Sequence, residues 1–222
     1  MTATSTPAAG APVVLTEFLS LDGVSQAPGG PNEDTTDGFR LGGWVVPHFD
    51  DDLGAEIGTI FGKAGGFLLG RRTYDIFASH WPHITDPNDF VARQLNSLPK
   101  FVASRSTTRF AWQGTTGLRD VVAELAAVSK RVSGELQVHG SGDLAQTLIQ
   151  HDLIDEYRLA VFPVLLGSGR RLFNTAIPCD LQLVSSRTTS KGVVYSVYRR
   201  GGHLKTGDVV LNPDGTYKMI AD

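Results

Sequence analysis

Four segments bearing glycine or small hydroxyl residues each follow a short apolar run, in this chain order: Ser20-Leu21-Asp22-Gly23, Gly70-Arg71-Arg72-Thr73-Tyr74, Ser104-Arg105-Ser106 and His139-Gly140-Ser141-Gly142-Asp143. Such residues at a strand end let the backbone come close to a bulky anion, and a helix starting just beyond them points unpaired N–H groups at it. The set suits a phosphate-bearing cofactor. Singly the segments say less: Arg71 and Arg72 also fit an exposed helical pair, Ser104-Arg105-Ser106 a plain loop, and Gly140-Ser141-Gly142 an ordinary tight turn.

Other chemistries find less support. The single cysteine, Cys179, beside Pro178, excludes an internal disulfide and a multi-cysteine metal site, and reads as an ordinary buried thiol. Among the histidines only His80 and His83 are spaced like ligands, and Trp81-Pro82 between them breaks the helix that would present both to one ion, so no metal is expected. His139, beside the glycine loop, reads as a cofactor neighbour. No nucleophile elbow and no Ser-His-Asp order support hydrolysis.

The elements that must position these residues alternate. Residues 13–19 form a continuous apolar and β-branched run suited to a buried strand, which opens into a polar, Gly/Pro-rich stretch over 22–47, long enough to have a function of its own. Leu53, Ile57, Ile60 and Phe61 recur at helical spacing over 50–63 behind an acidic start, and Gly65-Gly66 reads as the end of that helix. Strands over 67–69, 100–103 and 136–139 are interleaved with helices over 71–79, 87–98, 118–132 and 143–150. Such alternation implies right-handed crossovers and a mostly parallel sheet. Strands over 154–162, 181–190 and 193–199 follow without long helices, the last two joined at Ser190-Lys191-Gly192, so the sheet ends in an antiparallel hairpin.

A chain of 222 residues with 41% hydrophobic content buries one substantial core. The expected organisation is a disordered leader over 1–12, one domain over 13–200 and an added β-hairpin over 201–222. The net charge of -3 argues against a nucleic-acid footprint. The leader has neither the basic start nor the apolar stretch of a targeting peptide, and no run approaches the roughly 18 apolar residues of a membrane span, so a cytoplasmic protein without a membrane partner is expected.

Six motifs in order carry a family resemblance: Ser20-Leu21-Asp22-Gly23, Leu69-Gly70-Arg71-Arg72-Thr73-Tyr74, Pro99-Lys100-Phe101-Val102-Ala103-Ser104-Arg105, Val138-His139-Gly140-Ser141-Gly142-Asp143-Leu144, Leu153-Ile154-Asp155-Glu156-Tyr157-Arg158-Leu159, and Pro163-Val164-Leu165-Leu166-Gly167-Ser168-Gly169-Arg170-Arg171-Leu172-Phe173. Over 13–200 the chain resembles the dihydrofolate-reductase-like family that includes the reductase domain of bifunctional riboflavin-biosynthesis enzymes. The resemblance implies a three-layer α/β/α fold. It also implies an NADPH-dependent reductase that passes a hydride to a small carbonyl, imine or pterin/pyrimidine-like substrate. The alternatives are a dinucleotide-binding sensor without turnover and the ribosylaminouracil-phosphate reductase of riboflavin biosynthesis.

The same resemblance places Phe18, Gly70, Arg71, Arg72, Thr73, Ser104, Arg105, Ser106, His139, Gly140, Ser141, Gly142, Asp143 and Leu144 at the cofactor. Within that set Arg71, Arg72 and Thr73 suit a pyrophosphate, Arg105 between two hydroxyls suits the 2′-phosphate that separates NADPH from NADH, and the glycines let the chain pass flush against diphosphate and ribose. In dihydrofolate reductases proper a carboxylate on the helix after the first loop serves the pterin ring. That helix offers Asp51, Asp52 and Glu56 here, none at the family position. Asp52, with Asp22 at the mouth, is the catalytic candidate, and Trp44, Phe49, Trp81 and Phe162 are candidates for an apolar pocket wall or for the core. Residues 22–63 contain Arg40 as their one arginine and the chain has one cysteine, which disfavours both a phosphate grip and a zinc-deaminase partner domain. Family members pair through their terminal strands. The apolar run Val193-Val194-Tyr195-Ser196-Val197-Tyr198 and the tail hairpin therefore suggest a homodimer.

Overall fold

The computed structural model of the chain describes residues 10–106, 109–174 and 178–221. In chain order the elements are β1 (Val13–Ser20), α1 (Asp51–Gly62), β2 (Ala64–Gly70), α2 (Arg71–His80), α3 (Phe90–Ser97), β3 (Lys100–Ala103), β4 (Thr115–Leu118), α4 (Val121–Ser129), β5 (Glu135–His139), α5 (Gly142–Gln150), β6 (Glu156–Phe162), β7 (Cys179–Thr188), β8 (Val194–His203), β9 (Gly207–Leu211) and β10 (Tyr217–Ala221). The first eight strands form one sheet in the order β4-β3-β2-β5-β1-β6-β8-β7. Every pairing from β4 to β6 is parallel and the last two are antiparallel. The sheet is thus mostly parallel with a terminal antiparallel hairpin, as the alternation predicts.

Chain path and handedness divide the helices between the faces. From β1 the chain moves over β5 to β2, whereas from β5 it moves over β1 to β6. Right-handed crossovers in opposite directions put the two connections on opposite faces. The side chains agree. Leu125, Val128, Leu144 and Leu148 of α4 and α5 pack with Val13, Leu15 and Leu136 on one face. Leu53 and Ile60 of α1 pack with Ala160 and Phe162, and Phe61, Tyr74 and Leu95 of α1, α2 and α3 with Phe67 and Val102, on the other. Between β1 and β5 the connections part company, and the crevice beyond the carboxyl ends of these strands is where open α/β sheets bind ligands.

Three local expectations are corrected. Gly65-Gly66 does not end the first helix but lies inside β2, where a Cβ on Gly65 would sit 2.1 Å from the Ser133 carbonyl oxygen. The glycine is there for that close approach. The residues from Leu118 onward do not begin a helix: Leu118 closes the short strand β4, and the Asp120 carboxylate, accepting from Ala123 N at 3.1 Å, caps α4 after it. Cys179 is exposed on β7, not buried.

Buried polar groups brace the frame. Arg158 on β6, with a side chain 4% exposed, reaches Glu135 Oε1 at 2.7 Å and Glu156 Oε1 at 2.6 Å. Lys100 is fully buried and donates from Nζ to the Leu95 and Leu98 carbonyls at 2.7 and 2.9 Å, closing the carboxyl end of α3. Of the expected leader, residues 1–9 lie outside the described residues, while Ala11 N donates to Ser129 O. At the other end β9 and β10 pair with each other, and Val209, Leu211, Tyr217 and Met219 are exposed. Among the described residues no helix is long and apolar enough to cross a membrane.

Candidate cofactor and active site

A cavity of about 1490 Å³ opens at the carboxyl ends of the parallel strands. Phe18 at the end of β1, Gly70, Arg71, Arg72 and Thr73 at the β2–α2 turn, Ser104 and Arg105 after β3, and the residues from His139 to Leu144 at the β5–α5 turn all line it. Segments far apart in sequence therefore meet around one space. Ser106, expected beside them, is exposed and outside the lining.

The two glycine turns are tied to each other. Gly70 N donates to Ser141 Oγ at 2.9 Å, Ser141 Oγ donates to the His139 carbonyl at 3.0 Å, and Ser141 N donates to Thr73 Oγ1 at 3.0 Å. Gly140 and Ser141 both have positive φ, 55° and 65°, which turns the chain sharply from β5 into α5. Helix ends differ in a way that bears on binding. The amino ends of α1, α3 and α4 are capped by the carboxylates of Asp50, Asp89 and Asp120, whereas α2 and α5 have no side-chain cap. These last two ends line the cavity, with first-turn N–H groups and positive dipole ends that suit an anion. A Cβ on Gly142, the first residue of α5, would meet nothing within 4 Å.

A polar chain runs beneath the cavity. Arg158 holds Glu135, Glu135 Oε2 accepts from Gln137 Nε2 at 2.8 Å, and Gln137 Oε1 lies 3.0 Å from His139 Nε2. His139 is also stacked on Phe61, with centroids 4.7 Å apart. Burial, helped by the nearby Arg158 charge and opposed by Glu135, lowers its pKa to about 4, so the ring is neutral and fixed in place.

The carboxylates expected to be catalytic are engaged elsewhere. Asp52 accepts from Ser190 N at 3.1 Å, and Asp50 accepts from Ser190 Oγ and Lys191 N. The acidic start of α1 thus grips the β7–β8 turn, and Asp52 is outside the cavity lining. Asp22 accepts from Ser20 Oγ at 2.7 Å and from Leu166 N and Gly167 N at 3.1 and 3.0 Å, clasping two loops together. Those hydrogen bonds, led by Ser20, lower its pKa to about 2, so it is a committed anion with a structural task. Phe49 and Trp81 line the cavity as expected. Trp44 and Phe162 do not: they meet edge to face, 5.4 Å apart, in the core behind it.

The long segment 22–47 folds over the mouth. Gln26 Nε2 donates to the Asp34 and Thr36 carbonyls, Trp44 Nε1 donates to the Gln26 carbonyl, and Asp34 pairs with Arg170 and, at 3.7 Å, with Arg72 on α2. Ser25 to Gly29, Glu33 and Asp34 of this segment line the cavity.

Glu17 was not singled out in the sequence, although it interrupts an otherwise apolar strand. Its side chain is 4% exposed and lines the cavity, and Oε1 is buried with no hydrogen-bond partner. Burial, and next the Glu33 carboxyl, push its pKa up to about 8. The folded chain therefore keeps a proton that the unfolded chain loses near 4.5, and stability falls as pH rises between those values. Glu17→Gln should remove this slope and be more stable than the wild type by up to about 4–5 kcal/mol above pH 8. Urea unfolding of both proteins on either side of that window checks it; parallel pH profiles would contradict it.

Comparison with known proteins agrees with this architecture. The RibD C-terminal domain family matches residues 11–195. The uncharacterized protein YyaP of Bacillus subtilis (strain 168) is 29% identical over 176 residues, 76% of this chain and 92% of its own. A putative riboflavin biosynthesis protein from Shewanella sp. PV-4 superposes with a TM-score of 0.60 at 20% identity, covering 85% of this chain and 98% of the other. Dihydrofolate reductase from Enterococcus faecalis, complexed with NADP(H) and RAB-propyl, does so with a TM-score of 0.56 at 14% identity, covering 86% and 96%. The chain belongs to the RibD C-terminal domain family and has the dihydrofolate-reductase-like fold.

Proposed function

We propose that the protein is an NADPH-dependent reductase acting on a small unsaturated substrate. The observation that carries this reading is that the two helices without side-chain caps, α2 and α5, both end at the cavity, bound to each other through Thr73 and Ser141. Arg71, Arg72 and Thr73 would hold the diphosphate from one side, Gly140 and Gly142 would let it lie against the chain from the other, and Arg105 would meet the 2′-phosphate. NADPH supplies the hydride when bound. The chain's share would be to orient it against Phe18 and His139 and to exclude water with the segment over the mouth. The occurrence of NADP(H) in the Enterococcus enzyme and the family membership support the same reading.

Arg105 is exposed and lines the cavity, as a reader of a terminal phosphate should be. Charge-assisted contacts of this kind contribute ~1.5–3 kcal/mol. Titration should therefore show NADPH binding at least about tenfold more tightly than NADH, with the difference largely lost in Arg105→Ala. Equal affinities in the wild type, or an undiminished preference in the variant, would remove Arg105 from the site.

We also propose a homodimer. The apolar run over 193–198 is not at the sheet edge, because β8 lies between β6 and β7. Leu183 and Val184 on the edge strand β7, together with the apolar residues of β9 and β10, leave exposed strand surface that a second copy would cover. A two-stranded hairpin is marginal by itself in water. Truncation after Arg200 should weaken the dimer in light scattering; a monomer at micromolar concentration with and without the tail would refute the assembly.

A further inference from the structure

We propose that the substrate of this reductase carries an uncharged apolar arm, and that the arm lies between α1 and the α2–α3 pair. The inference rests on the reductase reading and adds to it the class of substrate. Size comes first. A cavity of about 1490 Å³ exceeds the roughly 300–1,000 Å³ usual for a single small ligand, so it has room for a dinucleotide and for a second molecule larger than one ring.

Apolar side chains mark where that molecule would extend. Phe61 of α1 stacks on His139 at 4.7 Å, beside the place where the nicotinamide would be oriented. Beyond it Ile57 of α1, Phe77 of α2, Trp81 after it and Val91 of α3 are half-buried, pack against the core and line the cavity. Phe77 and Trp81 meet edge to face with centroids 6.2 Å apart, and Asn96 Nδ2 donates to the Trp81 carbonyl at 2.9 Å, which anchors the aromatic wall. Large apolar side chains left open to a cavity are stabilised when apolar surface covers them.

Charge divides the cavity. Its arginines are Arg71 and Arg72 in the first turn of α2, Arg105 and Arg119 after β3 and β4, and Arg170 and Arg171 after β6. Among the described lining residues, α1, α3 and the rest of α2 contribute no cation. The acids of these helices are Asp75, already paired with Arg71, and Asp89, which caps α3, while Glu33 lines the cavity from the covering segment. An anionic arm would leave water here without a compensating charge, whereas an apolar arm meets matching surface. The ribosylaminouracil phosphate, with its anionic end, fits this half poorly.

The test uses a matched pair of probes, N-phenyl-1-naphthylamine and 8-anilino-1-naphthalenesulfonate, which share their rings and differ by a sulfonate. Saturating NADP+ first occupies the arginine-lined half. Fluorescence titration of the wild-type protein should then show the neutral probe binding at least about tenfold more tightly than the sulfonate. Trp81→Ala should weaken the neutral probe by about tenfold, because it removes most of one wall. Ile76→Arg, one turn beyond Arg72 on α2, supplies the cation that this half lacks and should tighten the sulfonate by at least about tenfold. It serves as well if Trp81→Ala fails to fold. NADPH binding accompanied by equal affinities for the two probes, or by unchanged neutral-probe binding in Trp81→Ala, would overturn the proposal and leave the reductase reading standing. Absence of NADPH binding by the wild type would overturn both.

Discussion

Gly142→Val should give a folded protein that no longer binds NADPH usefully. Gly142 opens α5 at an ordinary φ and lines the cavity, and a Cβ there would meet nothing within 4 Å. The fold has no reason to reject the valine beyond the small penalty of a β-branched residue in a helix. The space it fills is where the diphosphate would lie against the chain. Overpacked contacts cost roughly 1–3 kcal/mol or more, so affinity should fall by about tenfold to beyond a hundredfold. Circular dichroism and NADPH titration separate the outcomes: unchanged affinity moves the cofactor elsewhere, and loss of the fold makes the glycine structural. Gly140 is the poorer probe, because its φ of 55° would strain any β-branched side chain whether or not a ligand binds there.

Arg158→Met should be the most destabilising single change outside the apolar core. It removes the buried cation shared by Glu135 and Glu156, whose side chains are 15% and 13% exposed, and leaves only the exposed Arg199 on Glu156 Oε2 at 3.2 Å. Breaking a buried pair by removing one partner costs about 3–5 kcal/mol, because the remaining charge stays buried. In a domain of this size that is a fall of roughly 10 °C or more in Tm. The loss should also reach the cavity, since Glu135 orients Gln137 and Gln137 orients His139. A variant that melts within a degree or two of the wild type would show that solvent reaches these carboxylates and that the chain of contacts is not a brace.

The parts legible in the sequence were those that local rules determine. Apolar runs ending in glycine or hydroxyl residues located β1, β2, β3 and β5 and the turns after them; the structure brings the turns after β2, β3 and β5 around one cavity, whereas Ser20 to Gly23 after β1 lie outside its lining. Strand β4 escaped because its four residues are short and partly exposed, and because Leu118 fits the helical spacing that follows. The signal against that reading was present in Asp120, whose cap fixes where α4 starts. The carboxylates misled for a related reason. Asp52 and Asp22 stand where a ligand-facing acid would stand in sequence, but backbone N–H groups from residues 190 and 166, more than 130 positions away, take them up. Nothing local encodes such partners. Glu17 is visible as a charge inside an apolar strand, but its burial and its nearness to Glu33 depend on how the sheet and the segment 22–47 assemble, which no local rule encodes.

The central claim is that a nicotinamide dinucleotide lies across the carboxyl ends of β2, β3 and β5. A crystal structure of the protein with NADP+ tests it most directly. The account predicts density for the diphosphate between Thr73 and Gly142, with the 2′-phosphate within reach of the Arg105 guanidinium. NADP+ bound away from the two glycine turns, or a cavity left without it at saturating concentration, would contradict the account.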